Sequence, residues 1–228
     1  MKQFINTLLT FIGLLPILVL DSCKKKSTDI DQDKIWAHYE IYYDQNQDVT
    51  WARTKFKFGN ALGSAIQLTA PATITFNGSA LIYQSSTEQY EKVFQGFVSG
   101  GTFTYADKNN TIYSNSISYI KPIGFPAIDT IHKTNSYTLT WIGDSLATNE
   151  SVNLWLSGSN YHTEFFYQNK LNSKSIICAA NQLQKLSNLN TSGAMLRIYA
   201  PPIQQSTGAG GEINGKFLAH NLNTVIAD

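Results

Sequence analysis

Residues 51–58 read Trp-Ala-Arg-Thr-Lys-Phe-Lys-Phe and alternate strictly. Ala52, Thr54, Phe56 and Phe58 fall on one side of an extended chain, and Arg53, Lys55 and Lys57 on the other. Successive side chains of a strand point to opposite faces, so this spacing predicts a strand with one buried and one wet face. An antiparallel sheet with a single core needs that asymmetry. The same period, rich in β-branched and aromatic residues, recurs over 35–43, 65–69, 73–76, 79–83, 89–98, 102–106, 111–119 and 127–132. It continues over 136–142, 151–157, 160–168, 174–178, 193–199, 212–219 and 222–227. Clusters of Gly, Asn, Asp and Ser separate these runs at the cadence of a β-sandwich.

The expected fold is therefore all-β: two immunoglobulin-like antiparallel β-sandwiches in tandem, or alternatively one large β-sandwich, with one short helix. The helix is expected around Ala180 to Leu189, with Asn181 as its cap and Gln184 returning the bond. The run Lys121-Pro122-Ile123-Gly124-Phe125-Pro126 breaks the strand pattern, because proline cannot donate to a sheet ladder. It sets the expected boundary between a first domain, 35–122, and a second, 123–228. Trp141, alternating with Tyr137 and Leu139, is expected in the second core.

The first 23 residues have another character. A polar start with Lys2 leads into an apolar stretch from Leu8 to Leu20, followed by Asp21-Ser22-Cys23. This is the plan of a cleaved secretory signal, too short and too interrupted, by Pro16, for a spanning helix. Leu20-Asp21-Ser22-Cys23 resembles the lipobox of lipoprotein signal peptides. The resemblance implies a signal peptide over 1–22, cleavage between Ser22 and Cys23, and a lipid on Cys23 that holds the protein to a membrane. The polar stretch after it, Lys24 to Asp33, reads as a solvated tether, so 23–34 is expected to be linker. No Asp follows Cys23, which favours an outer-membrane address and leaves inner leaflet or cell surface open.

Charge excludes one partner class. Lys and Arg total 17 against 16 Asp and Glu, and the residues before Lys34 carry as many acids (Asp21, Asp29, Asp31, Asp33) as lysines (Lys2, Lys24, Lys25, Lys26). The body is near neutral and has only Arg53 and Arg197 as arginines. A nucleic-acid binder needs a basic stripe that displaces counterions, so no nucleic-acid partner is expected. If Cys23 is lipidated, Cys178 in Ser-Ile-Ile-Cys-Ala-Ala has no partner and is expected to be a small buried hydrophobe.

Several runs, among them Tyr42-Tyr43-Asp44, Ala52-x-Thr54-x-Phe56-x-Phe58-Gly59, Phe76-Asn77-Gly78, Thr138-Leu139-Thr140-Trp141-x-Gly143 and Gly208-Ala209-Gly210-Gly211, look like those of uncharacterised lipoproteins of Bacteroidota. The resemblance implies immunoglobulin-like sandwiches over most of the body and brings no activity with it.

Motifs that could carry chemistry are incomplete. Gly143-Asp144-Ser145-Leu146 spells the signature of G-D-S-L esterases, but no Asp-x-x-His pair follows it; the only one, Asp129-Thr130-Ile131-His132, lies upstream. A serine nucleophile needs a base and an oxyanion hole, so a hairpin turn is expected there. Asp44-x-Asn46-x-Asp48 starts like a calcium loop, but Val49 and Lys55 stand where Gly and Glu are required; a hairpin turn is expected again. His38, His132, His162 and His220 have no metal-binding spacing, although His162 and Glu164 would share a strand face. Tyr161 to Tyr167 places aromatics on both faces; a central strand packed on both sides is expected, an exposed stacking platform being the alternative. Ser206 to Gly211 precedes a strand, so it is a loop and not a phosphate cradle. Asp129-Thr130 and Asp144-Ser145 match a short O-glycosylation pattern.

The expectation for function is a membrane-anchored, non-enzymatic binding or structural module of the cell envelope, with a protein or glycan partner and no cofactor or metal. The alternatives are an accessory subunit of an envelope complex or surface fibre, joined through unpaired strand edges, and an esterase-type hydrolase using Ser145 with His132 or His162.

Overall fold

The structure, a computed structural model, describes residues 25–228. The signal peptide, the cleavage site at Ser22 and the lipidation site at Cys23 lie outside the described residues.

The described chain is all-β. Its first strands are β1 (Lys25–Lys26), β2 (Ile35–Asp44), β3 (Val49–Phe58), β4 (Ile66–Gln67), β5 (Thr73–Phe76), β6 (Ser79–Ala80) and β7 (Ile82–Gln84). Next come β8 (Gln89–Gln95), β9 (Gly101–Ala106), β10 (Ile112–Ile117), β11 (Ile123–Gly124), β12 (Thr130–His132), β13 (Tyr137–Thr140) and β14 (Ile142–Gly143). The last are β15 (Glu150–Gly158), β16 (Thr163–Gln168), β17 (Ser175–Cys178), a helix α1 (Ala180–Leu183), β18 (Leu189–Tyr199), β19 (Gly211–Leu218) and β20 (Leu222–Ala227).

The alternation of residues 51–58 is realised in β3, where Ala52, Thr54 and Phe56 are buried and Arg53, Lys55 and Lys57 lie on the outer face. A large sheet runs β7-β8-β3-β2-β19-β18, with β15 and β16 beyond β18 and β20 and β12 beside its N-terminal half. A four-stranded sheet, β10-β9-β5-β6, packs on the inner face of β2, β3 and β8. Aromatic rings close this layer: Tyr39 meets Phe103 at 5.3 Å, Phe56 meets Tyr105 at 4.7 Å and Phe76 meets Phe94 at 5.6 Å between centroids. Such pairs add about 0.5–1.5 kcal/mol each beyond the area they bury. The small sheets β13-β17 and β11-β14 carry Leu139, Ile176, Cys178 and Ile123 into the core.

The domain count read from the sequence is not confirmed. β19, from the second expected domain, pairs in parallel with β2 of the first, from Ala37 beside Gly211 to Asp44 beside Leu218. One core cluster contains residues from both sides of 122/123, and within the proline-rich run Ile123 and Gly124 form β11 against β14. Prolines 122 and 126 flank that short ladder, where they cost no bond.

The expected free tether is, from Lys25 onward, packed on the body. Lys25–Lys26 pairs in parallel with Ile66–Gln67, and Ser27 is fully buried, its Oγ accepting from the Thr69 N–H at 2.8 Å. The Gln32 side chain donates to the carbonyls of Ser27 and Ile30 at 2.8 and 3.0 Å, while Lys108 Nζ donates to those of Thr28 and Ile30. Buried polar groups need partners, and Ser27 and Gln32, the two buried residues of this segment, have them. The helix is also shorter than expected: α1 ends at Leu183 and no side chain caps it, though Leu183 and Leu186 are buried as anticipated.

The strand register fixes two opposite ends. The Lys34 carbonyl, just before β2, accepts from the Gly59 N–H, so the chain enters at the Ile35 end. Leu218 lies beside Asp44 at the other end of β2, Leu196 beside Leu218, and β18 extends seven residues past that point to Leu189. At about 3.3 Å per residue, Thr191 is roughly 45 Å along the strands from the entry point.

Candidate functional site

At that far end a hollow of about 840 Å³ opens over β15, β16, β18 and β20. The period-two rule decides what lines it. Leu156, Thr191, Leu222 and Thr224 point into the core, so the alternate residues Ser157, Thr163, Asn190, Ser192 and Asn223 face out and line the hollow. Ser157 is paired with both Thr163 and Ser192, and Ser192 with Asn223, which makes one continuous patch of hydroxyls and amides across four strands. Ile128 and Asp129 form the opposite wall, held there because Thr224 Oγ1 donates to the Asp129 carbonyl at 3.1 Å. Asp129 is the one ionisable side chain in the lining other than the Tyr161 phenol.

Tyr161 stands at the rim, 98% exposed and with φ of 62°, in the left-handed region. The turn that holds it is well tied. Tyr161 N–H donates to the Gly158 carbonyl at 3.1 Å, Ser159 and Ser187 share a 2.8 Å hydroxyl bond, and Asn160 Nδ2 donates to the Lys185 carbonyl. A left-handed backbone at an aromatic residue costs on the order of 1–2 kcal/mol. Here the surrounding bonds enforce it while the ring contributes nothing to the core.

Below the hollow on the same face, Trp155 and Phe165 pair with centroids 5.4 Å apart, one row down from Ser157 and Thr163. Phe165 is 47% and Tyr167 53% exposed. The expectation of a central strand over 160–168 is corrected by the topology: β16 bonds only to β15, so it lies at a sheet edge with Phe166 inward and Phe165 and Tyr167 outward. Gln182 donates to the Phe165 carbonyl at 3.2 Å and so covers part of that edge.

No family model matches the chain. No curated protein matches it either.

Behind the rim turn, the near-buried Glu164 gathers three donors. His162 Nε2 lies 2.6 Å from one oxygen, Lys185 Nζ 3.1 Å from the same oxygen, and Gln182 Nε2 3.0 Å from the other. The His162 bond leads in holding the carboxyl down to about 2; burial opposes it, and Gln182 and Lys185 add to it. A depressed carboxylate pKa gives stability that is present above the unfolded value near 4.5 and is lost as pH falls towards 2. Glu164→Gln is therefore expected to lower Tm at pH 7 and to leave it close to the unsubstituted protein at pH 2. Thermal melts across pH 2–7 check this, and an unchanged difference between the two proteins would refute it.

Ser145 is held elsewhere. Its carbonyl accepts from Arg197 Nη2 at 2.9 Å, the Asp144 carbonyl accepts from Nη1 at 2.9 Å, and Nη2 also meets Glu150 at 2.5 Å. Ser145 therefore sits at the Glu150 end of β15, while His162 binds Gly158 at the opposite end, about 25–30 Å away by strand length. His132 meets the Asp228 carbonyl at 3.0 Å. The geometry does not assemble Ser145 with either histidine.

The other sequence motifs have local explanations. Asp44 accepts from the Asn46 N–H at 2.8 Å and Tyr43 donates to Asp48 at 2.8 Å, which makes Gln45–Asp48 the β2–β3 turn. Residues 206–211 lead into β19, with Gly208 N–H bonded to Asp33. Cys178 is buried and unpaired, and burial pushes its thiol up to about 12. Among the described residues, no three His, Cys, Asp or Glu side chains are placed to hold a metal ion. No helix of the described residues is long and apolar enough to cross a membrane. The polar lining was missed because Ser157, Asn190, Ser192 and Asn223 read as turn formers; the usable signal was uncharged polar residues at successive outward strand positions.

Proposed function

We propose that the chain is an exported, lipid-anchored envelope protein that binds a neutral glycan, without catalysis, in the hollow between β15–β16 and β18–β20. The observation that carries the ligand class is the lining itself. Hydroxyl and amide side chains with one carboxylate offer donors and acceptors to a ligand that is hydroxylated and uncharged, and Tyr161 supplies a flat face for its C–H side. Ile128 and Val225 make part of the lining apolar and suit the C–H faces of a sugar. Trp155, Phe165 and Tyr167 extend the aromatic surface below it and suit a chain longer than one sugar. The anchor half of the reading rests on Leu20-Asp21-Ser22-Cys23, and the distance from the Lys25 end to the hollow suits a site held out from a membrane.

Titration with neutral envelope oligosaccharides tests the reading. Tyr161→Ala and Asn190→Ala are each expected to weaken binding about tenfold, equivalent to ~1.4 kcal/mol. Absence of binding across a glycan array, or binding indifferent to both substitutions, would rule the glycan out; recovery of an envelope protein lost with Tyr161→Ala would replace it with a protein ligand.

A further inference from the structure

Lys25 follows Cys23 by two residues in the sequence. Lys25 N–H donates to the Ala65 carbonyl at 3.2 Å, and β1 runs parallel to β4 with Lys25 beside Ile66. Parallel pairing brings the chain in at the N-terminal end of β4, next to the loop 59–65 that joins β3 to β4. That loop is ordered by its own bonds. Gly59, at φ of 80°, donates to the Lys34 carbonyl at 2.7 Å, Gly63 N–H to the Asn60 carbonyl at 3.0 Å, and Leu62 N–H to Asn60 Oδ1 at 2.9 Å. The result is a fixed turn that holds the Leu62 side chain 96% exposed. Leaving a leucine in water forgoes the gain of burying it, and nothing among the described residues covers it.

Two lysines, Lys25 and Lys26, stand at the same entry point. Lys25 Nζ lies 3.6 Å from the centroid of the Phe58 ring, and Lys25, Lys26, Ile30 and Phe58 share a hollow of about 490 Å³ with Asp29 and Asp31. Asp29 and Asp31 equal these two lysines in number, Asp31 also accepting from the Asp33 N–H at 3.1 Å. Lys24, between Cys23 and Lys25 in the sequence, adds one further positive charge.

We infer that loop 59–65 with Lys25 and Lys26 is a membrane-contact surface: Leu62 enters the headgroup layer of an anionic bilayer and the lysines lie against lipid phosphates. The inference rests on the reading of Cys23 as the anchor. A two-residue link spans at most ~7 Å, so a lipid on Cys23 holds this end of the body against the bilayer and selects lipid as its occupant. Lysines near such a surface are attracted to its anionic headgroups, and a second contact beside a single anchor point limits how far the body can tilt. The glycan hollow, at the other end of the strands, is then held at a distance from the membrane.

The test uses the full lipidated chain in vesicles, with an environment-sensitive fluorophore on Leu62→Cys and, as reference, on Gln47→Cys at the far β2–β3 turn. Cys178 is buried and does not compete for the label. In phosphatidylcholine vesicles containing phosphatidylglycerol, the label at 62 is expected to shift to the blue and to be quenched by lipids spin-labelled near the headgroup. The label at 47 is expected to stay water-like. The shift should shrink in phosphatidylcholine alone and in Lys25→Glu/Lys26→Glu. A water-like label at 62 on protein that floats with the vesicles would overturn the contact and leave the anchor standing. Protein that fails to float, or floats equally as Cys23→Ser, would overturn the anchor and the contact with it.

Discussion

Arg197→Met is expected to destabilise the protein by about 3–5 kcal/mol, the cost of leaving a buried charge without its partner. The guanidinium is almost fully buried on the inward face of β18 and faces Glu150, itself nearly inaccessible. Removing it strands the Glu150 carboxylate, which keeps only the Ala147 N–H at 2.6 Å and Lys121 Nζ at 3.9 Å. It also takes a donor from each of the Asp144 and Ser145 carbonyls. Adding Glu150→Leu should recover much of the loss, because two apolar groups of similar volume avoid the uncompensated charge. Urea unfolding measures both; a single substitution within 1 kcal/mol of the parent would show that water or Lys121 satisfies Glu150. Because Arg197 organises the turn that holds Ser145, the prediction also probes the structural reading of the G-D-S-L segment.

The second large effect concerns Trp141. It is buried between β13 and β14 and its indole Nε1 donates to the Asp144 carbonyl at 3.0 Å. Trp141→Ala removes the largest side chain in this part of the core, and such truncations cost about 3–5 kcal/mol. Trp141 and Arg197 share the Asp144 carbonyl as acceptor, so their effects should not add. Once either is lost the turn relaxes, and the double variant is expected to fall short of the sum by 0.5–3 kcal/mol. A double-mutant cycle in urea gives this coupling directly, and strict additivity would mean that the turn keeps its shape on one donor alone.

The parts of the fold legible in the sequence were those carried by neighbouring residues. Ala52, Thr54 and Phe56 against Arg53, Lys55 and Lys57 fixed the faces of β3, because a strand's period is set by its backbone. Trp141 in the core and Cys178 as a buried apolar group followed from similar local patterns. What the sequence could not display was pairing between distant segments. The proline-rich run at 121–126 resembles a boundary locally, and only the ladder of β19 on β2 joins its two sides. Ser27 and Gln32 look like linker by composition; their burial depends on Thr69 and Lys108, far along the chain. The candidate site had the same difficulty, since Ser157, Asn190 and Asn223 acquire a common surface only when three separate strands are aligned.

The ladder of β19 on β2 also bears on how the chain reaches this state. Its cross-strand contacts join residues as far apart as His38 and Asn214, 176 positions along the sequence. Closing a loop of that length costs conformational entropy before any contact returns it, and parallel pairing cannot be assembled from hairpins. β2 is therefore expected to spend the early part of folding with one edge open, until β19 arrives. Folding is expected to be slow for a protein of this size, and the late docking of β19, rather than the collapse of the aromatic layer around Phe56 and Phe103, is the step that closes the sheet.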